Sequence, residues 1–412
     1  MSSGAAARAG PRPSEDDPDV PTAPVIRSDV PGSFARAVFH ERHPELVRRV
    51  LDALPYGPGA RRAIERLLTE STGGVLEPLG ADAHDREQWL AWGDGLWGRP
   101  WGEAPFLWAE SWFYRRLLDA TGYFRPGAWQ GIDPFGPFKA AELAGAAVDD
   151  ELAALDGLAG LPGGQRARAL LSSALWGNRA DLGFGITAGA PGGAVTELVA
   201  DDGDVLRAEL ERTRGGRICL IADNAGRELL PDLVLVDHLL ADGTAARVDL
   251  YVKPQPFFVS DATTADLLAA LTRLRTARSE QAAAIGGRLW RAMNDGKLGV
   301  RTHPFFCAPL PYHDMPDDLR AEFAGAAMTI LKGDLNYRRL VGDRLWPATT
   351  AFDDATGHFP SPVTALRTLK SEVVVGLAPA TAARLDATGP AWRTSGEHAL
   401  VQVALHRGAT GR

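Results

Sequence analysis

Residues 217–240, RICLIADNAGRELLPDLVLVDHLL, decide the fold class. The first six are short, aliphatic and free of turn formers, the pattern of a buried strand, and the turn Asp223-Asn224-Ala225-Gly226 ends them. From Glu228 onward, Leu229, Leu233, Val236 and Leu240 recur at steps of four, three and four, which predicts a helix with one apolar stripe. A buried strand, a glycine turn and an apolar helix make the opening half of a parallel crossover unit.

Working outward, the same rhythm continues toward the C-terminus. Residues 248–252 (VDLYV), 328–331 (MTIL) and 372–377 (EVVVGL) read as further strands, and residues 265–278 as a helix. Toward the N-terminus the pattern becomes mostly helical, with FARAVFHERHPELVRRVLDAL and RRAIERLL spacing apolar residues three and four apart, followed by a Trp-rich stretch from Trp89 to Trp112. The first 32 residues are crowded with Pro, Gly, Ser and Asp and read as a flexible tail. The expected organisation is a tail (1–32), a helical N-terminal domain (33–181) and an α/β core (182–412).

Composition narrows the function. With 412 residues, 45% of them hydrophobic and 23% charged, the chain is long enough for a large core and too apolar for a disordered one. Its 44 Lys and Arg against 52 Asp and Glu give a net charge of −8, and no basic run stands out, which argues against nucleic acid and anionic membrane as partners. Two widely separated cysteines, Cys219 and Cys307, exclude a disulfide scaffold and a Cys-rich zinc site. With no stretch long and apolar enough to span a bilayer and no secretory start, a cytoplasmic home is expected.

In an open parallel sheet, ligands bind beyond the carboxyl ends of the strands. Asp223 and Asn224 follow the first strand, Asp261 follows the second after KPQPFFVSD, and Asp334 follows the strand that feeds LKGDLNYR. Oxygen ligands of this kind suit a hard divalent cation such as Mg²⁺ or Mn²⁺. The Gly226 turn at a helix N-terminus offers a place for a phosphate. Lys332 and Arg338 could neutralise phosphate oxygens, Asp334 and Asn336 could bind sugar hydroxyls, and Arg367-Thr368-Leu369-Lys370 could add a cation. In the helical half, Glu110, Tyr114 and Arg115 (ESWFYRR), Asp133 with Lys139 (DPFGPFK) and Asn178 with Asp181 (WGNRADL) are polar groups set among aromatics, readable as core pairs or as a substrate wall.

DNAGRELLPDLVLVDHLL, FFVSD, LKGDLNYRRLVGDRLW and LRTLKSE, in that order, resemble the damage-control phosphatase family, and most closely its subfamily with an Arg-Thr-x-Lys signature, here Arg367 to Lys370. ESWFYRR, DPFGPFK and LWGNRADL extend the resemblance over roughly residues 33–405. It implies a helical N-terminal domain on a three-layer α/β/α core with a mostly parallel sheet. It also implies a phosphatase using a divalent cation (Mn²⁺, Mg²⁺, Co²⁺ or Ni²⁺) on small phosphorylated metabolites, sugar phosphates such as fructose 1-phosphate among them. On the matching positions it implies that Asp223, Asn224 and Asp261 hold the metal. Asp334, Leu335, Asn336, Tyr337, Arg338 and Lys370 match its substrate-binding positions; Lys332, Glu228, Glu110 and Arg115 are expected to bind substrate with them, and Asp334 is expected to join Asp223, Asn224 and Asp261 in catalysis. Part of the subfamily has been described as S-adenosylmethionine-dependent protein carboxyl methyltransferases, with the position of Glu228 linked to that cofactor. DNAGRE lacks the Gly-rich loop such a cofactor commonly uses, which ranks this reading below the phosphatase, and the full set of polar positions ranks an inactive sugar-phosphate binder below it as well. The residues leave the general acid or base and the oligomeric state open.

Overall fold

A computed structural model describes residues 23–177 and 197–406. Seven strands form one sheet: β1 (Glu197–Asp201), β2 (Gly216–Ile221), β3 (Ala245–Tyr251), β4 (Leu298–Arg301), β5 (Met328–Lys332), β6 (Val363–Thr368) and β7 (His398–Ala404). Their order is β1-β7-β6-β5-β2-β3-β4. β6, β5, β2, β3 and β4 run parallel, β7 pairs antiparallel with β6, and β1 is parallel to β7. From β2 the chain winds outward to β3 and β4, then returns to the other side of β2 as β5. The order therefore reverses between β2 and β5, and the crevice that such a reversal opens lies at their carboxyl ends.

Helices cover both faces of the sheet. One layer holds α1 (His43–Ala53), α2 (Pro58–Gly73), α3 (Phe106–Thr121) and, later in the chain, α10 (Gly333–Val341). Their apolar residues merge with Cys219, Ile221, Tyr251 and Leu331 of the sheet into one core. The other layer holds α5 (Ala146–Ala154), α6 (Gly163–Trp176), α7 (Leu229–Ala241), α8 (Thr264–Arg275) and α9 (Glu280–Asn294) over Ile218, Leu220, Val248, Leu250 and Ile330. Between them, α4 (Gly136–Leu143) reaches the crevice. The helical stretch before residue 181 thus contributes to both layers, because each has an apolar sheet face to bury.

The parallel three-layer core agrees with the sequence expectation; several local readings do not. Helix α7 buries every residue from Leu229 to Asp237, not one stripe, since it is packed between the sheet and α6, α8 and α9. Residues 372–377 form no strand, although Val373, Val374 and Val375 are fully buried: Gly376 and Leu377 donate instead to the carbonyls of Thr350 and Ala348. The strand is β6 just before it, and Arg367 and Thr368 are its last two residues. Residues 23–32, read as part of the tail, are docked. Ile26 is buried and accepts from the Phe106 amide, and Val25 and Arg27 make bridges to Arg344 and Pro105. Asn178 and Asp181 lie outside the described residues, and among those described no helix is long and apolar enough to cross a membrane.

Candidate active site

Two loops meet at the reversal point. After β2, Asn224 forms an antiparallel bridge with Asp261. The Ala225 amide donates to the Ser260 carbonyl at 2.7 Å, and the Ala262 amide donates to the Asp223 carbonyl at 2.9 Å. The loop from β2 and the loop from β3 are thereby laced into one unit, which brings Asp223 and Asp261 together across 38 residues of sequence. Phe258 and Val259, just before Ser260, have φ of 43° and 63°. That left-handed conformation is strained for a β-branched residue, and packing holds it: the Phe258 ring lies 4.8 Å from Tyr114 and 4.6 Å from Phe257.

Lys139 of α4 fastens this loop from the helical side. Its buried ammonium donates to the Asp261 carbonyl at 2.9 Å and to the carboxylates of Asp133 and Asp266, each at 3.0 Å. Asp266 also closes a capping box with Thr263 at the start of α8. The sequence marked Asp133 and Lys139 as a pair; it gave no sign that their third partner is the Asp261 backbone.

Both carboxylates at the centre are driven up from the ordinary carboxylate range. For Asp223 the causes are burial first, then repulsion from Asp261 and Glu228; for Asp261 burial dominates, opposed by Lys253 and Lys139. Asp261 Oδ2 is buried and accepts no aligned hydrogen bond; its nearest cation is the Lys253 ammonium at 3.3 Å. Two neighbouring carboxylates, one buried and one at the cleft, fit a hard divalent cation. Asn224 is turned so that its nitrogen donates to Asp223 (3.1 Å) and Glu228 (2.7 Å) while its oxygen accepts from Ser260 (2.7 Å). In this arrangement its oxygen is not shared with Asp223. Among the described residues no three His, Cys, Asp or Glu side chains form a metal cluster.

Gly333, the first residue of α10, has φ of +83°, and a Cβ there would sit 1.8 Å from Asp223 Oδ2. The Asp223 carboxylate lies directly against this glycine. Next to it Asp334 is clamped. Oδ1 accepts from Arg367 Nε (2.8 Å), the Ser371 hydroxyl (3.1 Å) and the Lys370 amide (3.2 Å), and Arg367 Nη2 lies 2.7 Å away. These contacts outweigh burial and hold the Asp334 carboxyl below its usual range. Arg367 is fully buried over the Tyr337 ring. The signature Arg therefore fixes Asp334 and, through it, the backbone of Lys370. The Lys370 side chain is half exposed and reaches to 3.6 Å from Glu228. Burial opposes its charge, but Glu228, Asp223 and Asp334 raise its pKa.

Much of the expected substrate-binding run points elsewhere. Leu335 is buried in the core. Asn336, fully buried, donates to the carbonyls of Ala222 and Lys332 and accepts from Tyr312, tying β2 to β5. Tyr337 bonds Gln402 and Val375. Arg338 is buried against both oxygens of Asp343 and against Glu110. Lys332 faces the crevice but is committed to Asp232 at 2.8 Å and to the Ala174 carbonyl. Arg115 grips Asp85 at 2.6 and 2.7 Å, away from the crevice, and Glu110 serves Arg338. The phosphate position expected over the Gly226 turn is taken by Glu142 of α4, which accepts from the Arg227 amide and whose Oε2 would be 2.5 Å from a Cβ on Gly226. What remains open is a narrow cleft lined by Asp223, Glu228, Asp232, Lys332, Gly333 and Thr368. Lys253, Asp232 and Glu142 were not singled out from the sequence. Lys253 follows β3 at its carboxyl end, the same positional signal that marks Asp223.

A family profile for the damage-control phosphatase ARMT1-like domain matches residues 38–385. The chain is 31% identical to damage-control phosphatase ARMT1 of Mus musculus, over 90% of this chain and 96% of the mouse protein. It is 29% identical to that of Danio rerio, over 90% of this chain and 95% of the fish protein. Among solved structures it is similar to a DUF89 family protein of Pyrococcus horikoshii, with 16% identity, a TM-score of 0.46 and coverage of 84% of this chain and 93% of that one. By the span of the profile match and the near-complete coverage of these relatives, the chain belongs to the damage-control phosphatase ARMT1-like family.

Proposed function

We propose that the protein is a divalent-metal-dependent phosphomonoester hydrolase acting on small phosphorylated metabolites, with sugar phosphates such as fructose 1-phosphate as the substrate class. The observation that carries this reading is the pair of carboxylates at the sheet reversal, Asp223 lining the cleft and Asp261 buried behind it, brought together by the Asn224–Asp261 bridge.

Asp223 and Asp261 would hold a divalent cation (Mn²⁺, Mg²⁺, Co²⁺ or Ni²⁺), with Asn224 beside them. Such an ion, when bound, supplies charge to phosphoryl oxygens and lowers the pKa of a coordinated water. The protein's own part is positioning and electrostatics, the main demands of phosphoryl transfer. Lys370, half exposed at the rim, is the cation able to meet an incoming phosphate, whereas Lys332 is already neutralised by Asp232. The Arg367–Asp334 clamp orients the Lys370 backbone, and Glu228 holds the Asn224 amide. With Arg338, Asn336 and Tyr337 turned inward, selection among sugars falls to the cleft residues, Glu228 and Thr368 among them.

The test is a phosphate-release screen over sugar and nucleotide monophosphates with each of the four cations. The expected result is cation-dependent release from a ketose phosphate, abolished by Asp223→Ala and by Asp261→Ala. Transfer of a methyl group from S-adenosylmethionine without phosphate release would overturn this reading in favour of a methyltransferase.

A further inference from the structure

Lys253 is the most deeply placed cation at the centre. Its side chain is 3% exposed, and its ammonium has no aligned hydrogen-bond acceptor. It stands 3.3 Å from Asp261 Oδ2, between the faces of Phe257 (5.8 Å) and Phe306 (5.9 Å). Its backbone is fixed too, because the Lys253 amide donates to the Ala262 carbonyl at 2.8 Å and the residue bridges to Thr263. A buried ammonium held against one carboxylate oxygen, shielded from water and lacking hydrogen bonds, is costly to the fold. It cannot reach solvent to hold a substrate, so its effect on the site is electrostatic, felt first by Asp261 at 3.3 Å.

We propose that Lys253 is a built-in countercharge that sets the electrostatic balance of the site, weakening metal binding and strengthening phosphate binding. The inference rests on the metal-dependent phosphatase reading above. The Lys253 ammonium adds one positive charge beside Asp261, whether or not a divalent cation is bound. That charge opposes a second cation and favours a phosphate dianion. Removing it leaves the bare site one charge more negative, so that it takes a cation more readily, and leaves the loaded site one charge less attractive to the dianion. At these short distances in a poorly screened interior, one charge has large effects in both directions. A lysine that merely braces the loop would, on removal, weaken both ligands together. Lys253 is thus a positioning residue of charge, not a catalytic one.

The experiment is calorimetric titration of the full chain with Mn²⁺ alone, then of the Mn²⁺-loaded chain with inorganic phosphate, for wild type, Lys253→Met and Lys253→Gln, with thermal unfolding of each. Both variants should bind Mn²⁺ at least about tenfold more tightly and, once loaded, bind phosphate at least about tenfold more weakly, as loss of one nearby charge requires. Affinities that move in the same direction, or that stay within about twofold, overturn the proposal. Failure of both variants to fold also overturns it, since the ammonium would then serve the fold. A wild-type chain that binds Mn²⁺ but not phosphate overturns the proposal and leaves the metal site standing. A wild-type chain that binds no Mn²⁺ overturns the reading of the site and the proposal with it.

Discussion

Replacing Gly333 with alanine tests the packing of the site without removing a polar group. The added Cβ would lie 1.8 Å from Asp223 Oδ2 and 2.1 Å from its Cγ, where ordinary contact begins at 3.4 Å. The carboxylate must therefore retreat by about 1.6 Å, several times the ~0.2 Å tolerance of a metal–oxygen bond. Gly333 also has φ of +83°, so alanine adds a backbone cost of about 1–2 kcal/mol. Gly342→Ala separates the two effects. That residue has φ of +79° and ψ of 135° with nothing within 4 Å of its would-be Cβ, so it carries a backbone cost of at least that size and no contact. Both variants should lose a few degrees in Tm, as ~1–2 kcal/mol implies for a protein of this size. Only Gly333→Ala should lose Mn²⁺ affinity in calorimetry, by about a hundredfold or more, as expected when one charged ligand is displaced. Mn²⁺ affinity and phosphate release within about threefold of wild type in Gly333→Ala, with Tm lowered as in Gly342→Ala, would show that Asp223 is not a ligand.

Three further outcomes follow from the buried ion pairs. Burial, only partly opposed by Arg338, raises the Glu110 carboxyl from 4.5 to about 7, so the folded chain binds more protons than the unfolded chain between these values. Its contribution is fully present below about pH 4.5 and is lost as pH rises through about 7. Glu110→Gln should therefore flatten the fall in unfolding free energy between pH 5 and 8, a change of at most about 3 kcal/mol in denaturant titrations. Arg338→Met leaves Glu110 and Asp343 buried without their cation and should cost about 3–5 kcal/mol, while KM for a phosphate ester in the folded protein stays within about twofold. Arg367→Lys cannot reproduce the fork on Asp334 or the contacts to Val373 and Ser371, and should lower kcat/KM by about tenfold or more while the fold survives in circular dichroism.

The strand-end rule was enough to single out Asp223, Asn224 and Asp261, because a parallel sheet converts a position in sequence into a position at one edge. Their convergence was not legible, since it depends on the bridge between two loops and on Lys139, which reaches Asp261 and Asp266 more than 120 residues away. The run from Asp334 to Arg338 looked like a cluster of site residues because its polar groups are adjacent. It lies on a helix, where successive side chains turn by about 100°, so five neighbours cannot face one crevice. Helix α10 is buried nearly all round, and Asn336, Tyr337 and Arg338 spend their polar atoms on interior partners. Glu110 and Arg115 diverge for the same reason. The Gly226 turn had the form of an anion site, and the fold filled it with its own anion, Glu142, from an element that no local pattern connects to it. Lys253 went unnoticed because a lone lysine beside two prolines looks like a solvated loop residue, and only burial reveals it as a charge held in the core.

The most direct measurement is a crystal structure of the full chain grown with Mn²⁺, with anomalous difference density collected near the manganese absorption edge. A single peak coordinated by carboxylate oxygens of both Asp223 and Asp261, next to Asn224, is the expected result. No peak there in crystals that show manganese elsewhere, or a peak touching neither carboxylate, would contradict the account.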